Sequence, residues 1–206
     1  MAVDASNLTL LQLDALKEVG NIGAGHAATS LADLLGEHVV ITVPNASIVA
    51  TAQLATAVSR PESTVVGVLL RISGQAGGVM VYAFDEADAR RMADTLTMQP
   101  PGTTQEIGEL ERSMVGEVGN MLTGAFVTAL AEFTNLRFEM SPPMIAVDTL
   151  ATILSEVSVT AAALGDYALE MDTTFVQARG RLEGRFFYLM DENALTAILT
   201  SLGMAG

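Results

Sequence analysis

The 206-residue sequence contains no cysteine and no tryptophan, and Lys17 is its one lysine. Without cysteine there are no disulfides and no thiolate metal ligands. The only histidines, His26 and His38, lie twelve positions apart with no repeated counterpart, which supports neither a metal site nor a general base. Half of the residues are hydrophobic, yet no run of 18 or more apolar residues is present to span a bilayer, so membrane insertion is not expected. The opening "MAVDASNLTL" lacks the basic and apolar regions of a signal peptide, and a cytoplasmic location is the expectation. Basic residues number 10 against 24 acidic ones, for a net charge of −14. That balance argues against nucleic acid and favours a protein partner presenting a basic group. No nucleophile elbow, P-loop or HExxH motif is present. "GAGHAA" at 23–28 has the spacing of a dinucleotide fingerprint, but it sits inside a helical pattern where that motif requires a preceding strand.

What is present is written twice. "LTLLQLDALKEVGNIGAGHAATSLADLLG", from Leu8 to Gly36, predicts a long helix with a Thr9/Gln12 capping box and a glycine stop. A strand at "EHVVITV" halted by Pro44, a short helix near "ATAQLATAVS", β segments at "STVVGVLLRIS" and "GGVMVYAF", and a helix at "DEADARRMADTL" follow. After the linker "TMQPPGTTQ" the order recurs. A long helix is predicted from about Thr104 to Thr134, behind a second box of Thr103 and Glu106. Then come a strand at "LRFEM" halted at Pro142 and Pro143, a short helix at "DTLATILSE", β segments at "DYALEMDTTFVQA" and "RLEGRFFYLM", and a helix at "DENALTAILTSL". The expectation is one α+β body over residues 1–206, with repeats at about 8–97 and 104–203. Its two long helices should pack on a β-sheet with pseudo-twofold symmetry.

Two stretches almost rhyme: "KEVGNIGAG" at 17–25 and "GEVGNMLTG" at 116–124. At 100° per residue, Asp14, Glu18, Asn21 and Gly25 fall within roughly 60° of one another. Leu13, Leu16, Ala24, Ala27, Leu31 and Leu34 are assigned to another, core-facing side. The second helix repeats the polar stripe as Ser113, Glu117, Asn120 and Gly124, and a proline follows each asparagine by 23 positions, Pro44 and Pro143. Flanking positions have diverged, Lys17 against Gly116 and Ile22-Gly23 against Met121-Leu122, while the stripe has not. Gly20 and Gly119 suit close packing on the buried side. Gly25 and Gly124, on the stripe, leave room for a partner above the Glu and Asn.

The pattern Asp or Ser, three residues, Glu, two residues, Asn, 22 residues, Pro resembles the signature of the CheC, CheX and FliY phosphatases of chemotaxis. Two copies over essentially the whole chain look like the CheC branch. The resemblance implies an internally duplicated CheC-like fold and a hydrolase acting on the aspartyl-phosphate of a CheY-like receiver. It implies catalytic roles for Glu18, Asn21, Glu117 and Asn120, with the asparagines orienting water and the glutamates docking the receiver's lysine. Asp14, Gly25, Pro44, Ser113, Gly124 and Pro143 would support them. No cofactor is expected on this chain, and Mg2+ would belong to the receiver. The alternative the family offers is a binding partner of the receptor deamidase CheD.

Overall fold

The computed structural model describes residues 8–54, 63–160, 164–178, 180–191 and 193–204. The first long helix, α1 (Leu10–Leu35), opens as expected: the Gln12 N–H donates to Thr9 Oγ1 at 3.3 Å, and the Thr9 N–H donates to Gln12 Oε1 at 2.8 Å. It stops at Gly36, whose φ of 65° is left-handed. Strand β1 (Val40–Thr42) is much shorter than the predicted segment, and past Pro44 the chain forms β2 (Ala46–Ala50) before a single 3-10 turn at Thr51–Gln53. The expected short helix near 50–59 is therefore replaced at its start, and residues 55–59 lie outside the described residues. Next come β3 (Thr64–Gly74), β4 (Gly78–Asp85) and α2 (Glu86–Leu96), the last with Glu86 and Asp88 in its first turn.

In the second repeat the long helix, α3, spans Glu109–Thr134 and starts five residues later than predicted from about Thr104. Its end is closed by Glu111, whose carboxylate accepts the Gly108 N–H at 3.0 Å; the expected Thr103/Glu106 box does not form. Asp94 is the reason. Buried at the end of α2, it accepts the Gly102 and Thr104 N–H groups at 2.7 Å each and holds the linker in a turn where helix was expected. Then follow β5 (Phe138–Met140), β6 (Met144–Thr149), α4 (Leu150–Thr160), β7 (Leu164–Gln177), β8 (Gly180–Asp191) and α5 (Ala194–Ser201).

The strands form one sheet in the order β1-β7-β8-β4-β3-β5, with β2 also on β7 and β6 also on β3. Exchanging the repeats maps this order onto itself about the β4–β8 pair, where Val81 faces Phe187. Each repeat lends its first two strands to the long strand of the other: Ile41 pairs with Phe175 and Ile48 with Leu169, while Met140 pairs with Ile72 and Val147 with Val66.

Both faces of the central strands are covered, which explains their unbroken apolar runs. Met80, Tyr82, Phe84, Phe186 and Tyr188 pack with α1, α2 and α3, whereas Val81, Ala83, Phe187 and Leu189 pack with Leu150, Ile153, Leu154 and Val157 of α4. Helix α3 contains an 18-residue window of mean hydropathy 1.3, long and apolar enough to cross a membrane, but 56% of that window is buried inside this body.

The long helices cross where Gly23 meets Phe126: a Cβ on Gly23 would stand 2.8 Å from the Phe126 Cα. Gly20 and Gly119 do serve close packing, against Met171 and Val68. Of the positions assigned to the core side of α1, Leu16, Ala24, Ala27 and Leu31 are buried and Leu13 is half-buried. Leu34 is 55% exposed, since the helix end runs beyond the body it packs on.

Two stability predictions follow from these contacts. Gly25 has nothing within 4 Å of an added Cβ, so Gly25→Ala gains helix propensity and stabilises by about 1 kcal/mol. Gly23→Ala destabilises despite the same propensity gain, because backbone stands in the way; chemical denaturation of the two variants checks the opposite signs. Asp94 is pushed up by desolvation, but hydrogen bonds from Thr104, Gly102 and Thr103 outweigh this and hold its pKa below the ordinary value. A depressed folded-state pKa means that its stabilisation is present at neutral pH and lost as pH falls through that pKa. Asp94→Ala should cost about 2 kcal/mol at neutral pH. The gap from wild type should shrink in acid, as read from urea midpoints.

Candidate functional site

The polar stripe lies on the outer side of both long helices. Asp14, Glu18 and Gly25 are exposed on α1 and Asn21 is half-buried; on α3, Ser113 and Glu117 are exposed while Asn120 and Gly124 are half-buried. Neither Glu18 nor Glu117 forms an ion pair among the described residues. Space above the stripes is open: no atom lies within 4 Å of a Cβ built on Gly25, and at Gly124 the nearest is the Met140 Cε at 3.7 Å.

Each proline lies in the turn joining the two short strands of its repeat. In the first repeat this turn is tied to the stripe. Asn21 Oδ1 accepts the Val43 N–H at 2.9 Å, and its Nδ2 donates to the Val43 carbonyl at 3.4 Å and to the Lys17 carbonyl at 3.2 Å. Pro44 is exposed and Pro143 half-buried. The turns are held from outside as well: Asn45 Nδ2 donates to Asp172 at 2.9 Å, and the Ser141 N–H donates to the Arg71 carbonyl at 2.9 Å. In the first repeat the asparagine and the proline turn thus come together; in the second, Met140 of β5 approaches Gly124 and Ile145 of β6 approaches Gly116, which runs the strands flanking the Pro143 turn along α3.

Residue type hid one pair. Leu11 and Leu110 stand seven positions before Glu18 and Glu117, hence two turns along the same stripe, and are 65% and 59% exposed. Leu11 and Leu110 are given no role by the sequence reading, being unlike the polar stripe in chemistry; their recurrence 99 residues apart, in register with the stripe, is the signal available.

Among the described cavities, none is lined by Glu or Asn of the stripes. An open cleft of about 440 Å³ lies beyond the Pro44 turn, lined by Asn45, Asp85, Asp172, Arg181, Glu183 and Arg185 among others, and it contains no Glu or Asn of the stripe. A convex helix face with unpaired carboxylates, a carboxamide one turn on and an apolar residue two turns back is suited to a protein surface. It lacks the enclosure that holds a small molecule.

The model of the CheC-like family matches residues 11–48 and 110–147, one match per repeat in the 99-residue register. The CheY-P phosphatase CheC of Bacillus subtilis (strain 168) is 31% identical over 196 residues, covering 93% of this chain and 94% of that protein. The crystal structure of Thermotoga maritima FliY matches with a TM-score of 0.79 at 21% identity, over 97% of this chain and 99% of that one. A chain of the CheX-CheY-BeF3-Mg2+ complex from Borrelia burgdorferi matches with a TM-score of 0.50 at 18% identity, over 82% of this chain and 96% of that one. The structural likenesses show a shared fold. With two family matches in register and a relative aligned over nearly its whole length, the chain belongs to the CheC-like family.

Proposed function

We propose that the chain hydrolyses the aspartyl-phosphate of a CheY-like receiver, using a Glu-x-x-Asn pair on each long helix. The observation that carries this reading is the recurrence of an unpaired exposed glutamate, an asparagine one turn later and open space beyond it, on two helices that otherwise diverged. The name of the B. subtilis relative, a CheY-P phosphatase, supports the substrate class.

An aspartyl-phosphate is a mixed anhydride and needs no protein nucleophile from its phosphatase. Water attacks phosphorus in line, the bond from phosphorus to the aspartyl oxygen breaks, and aspartate and inorganic phosphate leave with one proton released. The missing ingredient is a water held in place, and a carboxamide accepts from it and donates to it without titrating. Asn120 and Asn21 supply that group. Glu117 and Glu18, one turn earlier, meet a basic group on the receiver and fix how it docks. Leu110 and Leu11 extend the contact, and the net charge of −14 favours approach of a basic surface. Mg2+ comes with the receiver; among the described residues, no group of three or more His, Cys, Asp or Glu is arranged to hold a metal.

Replacing Glu18 and Glu117 together with Ala should weaken binding to phosphorylated receiver roughly tenfold or more, with the fold intact. Calorimetry checks this at low and high salt, since added salt screens the same contact in the wild type. Unchanged affinity in the double variant would remove the docking role.

Replacing Asn21 and Asn120 together should reduce dephosphorylation on the order of 10²-fold while binding survives, because water orientation matters mainly in the transition state. Phosphate release from phosphorylated receiver, beside a pull-down, measures both. A double variant as active as wild type would leave the stripe a structural feature and turn the assignment to a binding module, with CheD as the partner to test.

A further inference from the structure

The two stripes share their motif residues and differ in what lies behind the asparagine. In the first repeat the Asn21 carboxamide is engaged at both ends by backbone, its oxygen by the Val43 N–H and its nitrogen by the Lys17 and Val43 carbonyls. The residue 99 positions after Val43 is Pro142. Proline has no N–H to give. The Pro142 carbonyl accepts instead from the Ser141 hydroxyl at 3.0 Å, and the Asn120 carboxamide makes no hydrogen bond to any described residue. A single residue thus decides whether the carboxamide is fastened to the following turn or left open to an incoming water.

The surroundings differ in the same sense. Lys17 precedes Glu18, where Gly116 precedes Glu117, so the first glutamate has a cation next to it in sequence and the second does not. On the short strands of the second repeat Met140, 3.7 Å from a Cβ built on Gly124, and Met144 are exposed; the matching positions in the first repeat are Ile41, which is buried, and Asn45, which is polar. Flexible apolar side chains around a polar group are what a transient protein interface uses.

We infer that the two sites are not equivalent: Asn120 carries most of the turnover, Pro142 is the positioning residue that leaves it free, and Asn21 acts first as a clamp joining the β1–β2 turn to α1. The turnover half of this inference rests on the phosphatase reading above; the clamp half does not. For Asn21 to orient water it must give up the Val43 hydrogen bond in every cycle. Losing one neutral hydrogen bond corresponds to roughly a threefold to tenfold drop in rate.

The test uses the full chain and two readouts. In thermal melting, Asn21→Ala should lower Tm by about 2–4 °C, while Asn120→Ala leaves it within about 1 °C. In receiver dephosphorylation, Asn120→Ala should lose most of the rate and Asn21→Ala keep more than half. In the Asn21→Ala background, Pro142→Ala restores an N–H beside Asn120 at an exposed position. It should lower kcat roughly threefold to tenfold with KM unchanged. Equal Tm shifts for the two asparagine variants would overturn the clamp. Equal rate losses, or an unchanged kcat on Pro142→Ala, would overturn the assignment of turnover to Asn120. A wild-type chain inactive on phosphorylated receiver would instead sink the phosphatase reading and the turnover half with it, and the melting comparison would still decide the clamp.

Discussion

The exchange of strands between the repeats is the constraint on which the rest of the structure depends. The short strands that follow each long helix bond to the partner repeat's long strand, β1 and β2 to β7, β5 and β6 to β3. Isolated two- or three-stranded ribbons are marginal in water, and three-residue strands such as β1 and β5 hold only because a strand of 11 or 14 residues lies ready beside them. The proline turns hang between those strands. A turn seated on the second repeat therefore sets the position of Val43 behind Asn21 of the first, and Arg71 of the first anchors Ser141 in the proline turn of the second. Neither stripe is built by its own half.

Glycine shows how the same helices serve inward and outward demands at once. Gly20, Gly23, Gly116 and Gly119 let Met171, Phe126, Ile145 and Val68 come within 3 Å of where a Cβ would stand. These close approaches replace side-chain packing with direct contact between helix backbone and its neighbours, which fixes the depth of each helix on the body. Gly25 and Gly124 satisfy no such contact. A glycine in a helix interior costs about 1 kcal/mol against alanine, and where no neighbour accounts for it, room for an outside partner is the physical reading left.

The long helices, the long strands and both stripes were legible because each rests on many residues of one period. The Thr9/Gln12 box and the Gly36 stop were legible because capping depends on neighbours a few positions away. What escaped depends on distant contacts. Strand β2 begins two residues after Pro44 and β6 directly after Pro143; both exist through pairing with β7 and β3, and residues 46–49 and 144–147 carry no predicted element. The start of α3 was misplaced because Asp94 takes the Gly102 and Thr104 N–H groups that a Thr103 cap would have left to the helix. Leu34 falls on the core-facing side by helical period, and its position past the edge of the body exposes it. The hydrogen bond from Val43 to Asn21 spans 22 residues and a change of element, beyond what a periodic pattern encodes.

The chemistry proposed here also explains where the fold keeps its perturbed ionisable groups. Catalysis by proton transfer needs acids and bases displaced toward the working pH, and such displacement gathers at the active site. Among the described residues, three displacements have structural causes. Burial raises Tyr82 within the main core; burial, then the charge of Asp172, raises Glu170 on β7; Asp94 is held down in the linker turn. A site whose working group is a carboxamide has no proton to tune. On the proposed chemistry the phosphoryl bond is already activated as an anhydride, so what remains for the enzyme is to hold a short, non-titrating side chain at a fixed height on a rigid helix. Strand exchange and the glycine contacts supply that rigidity, and this is why a convex surface suffices.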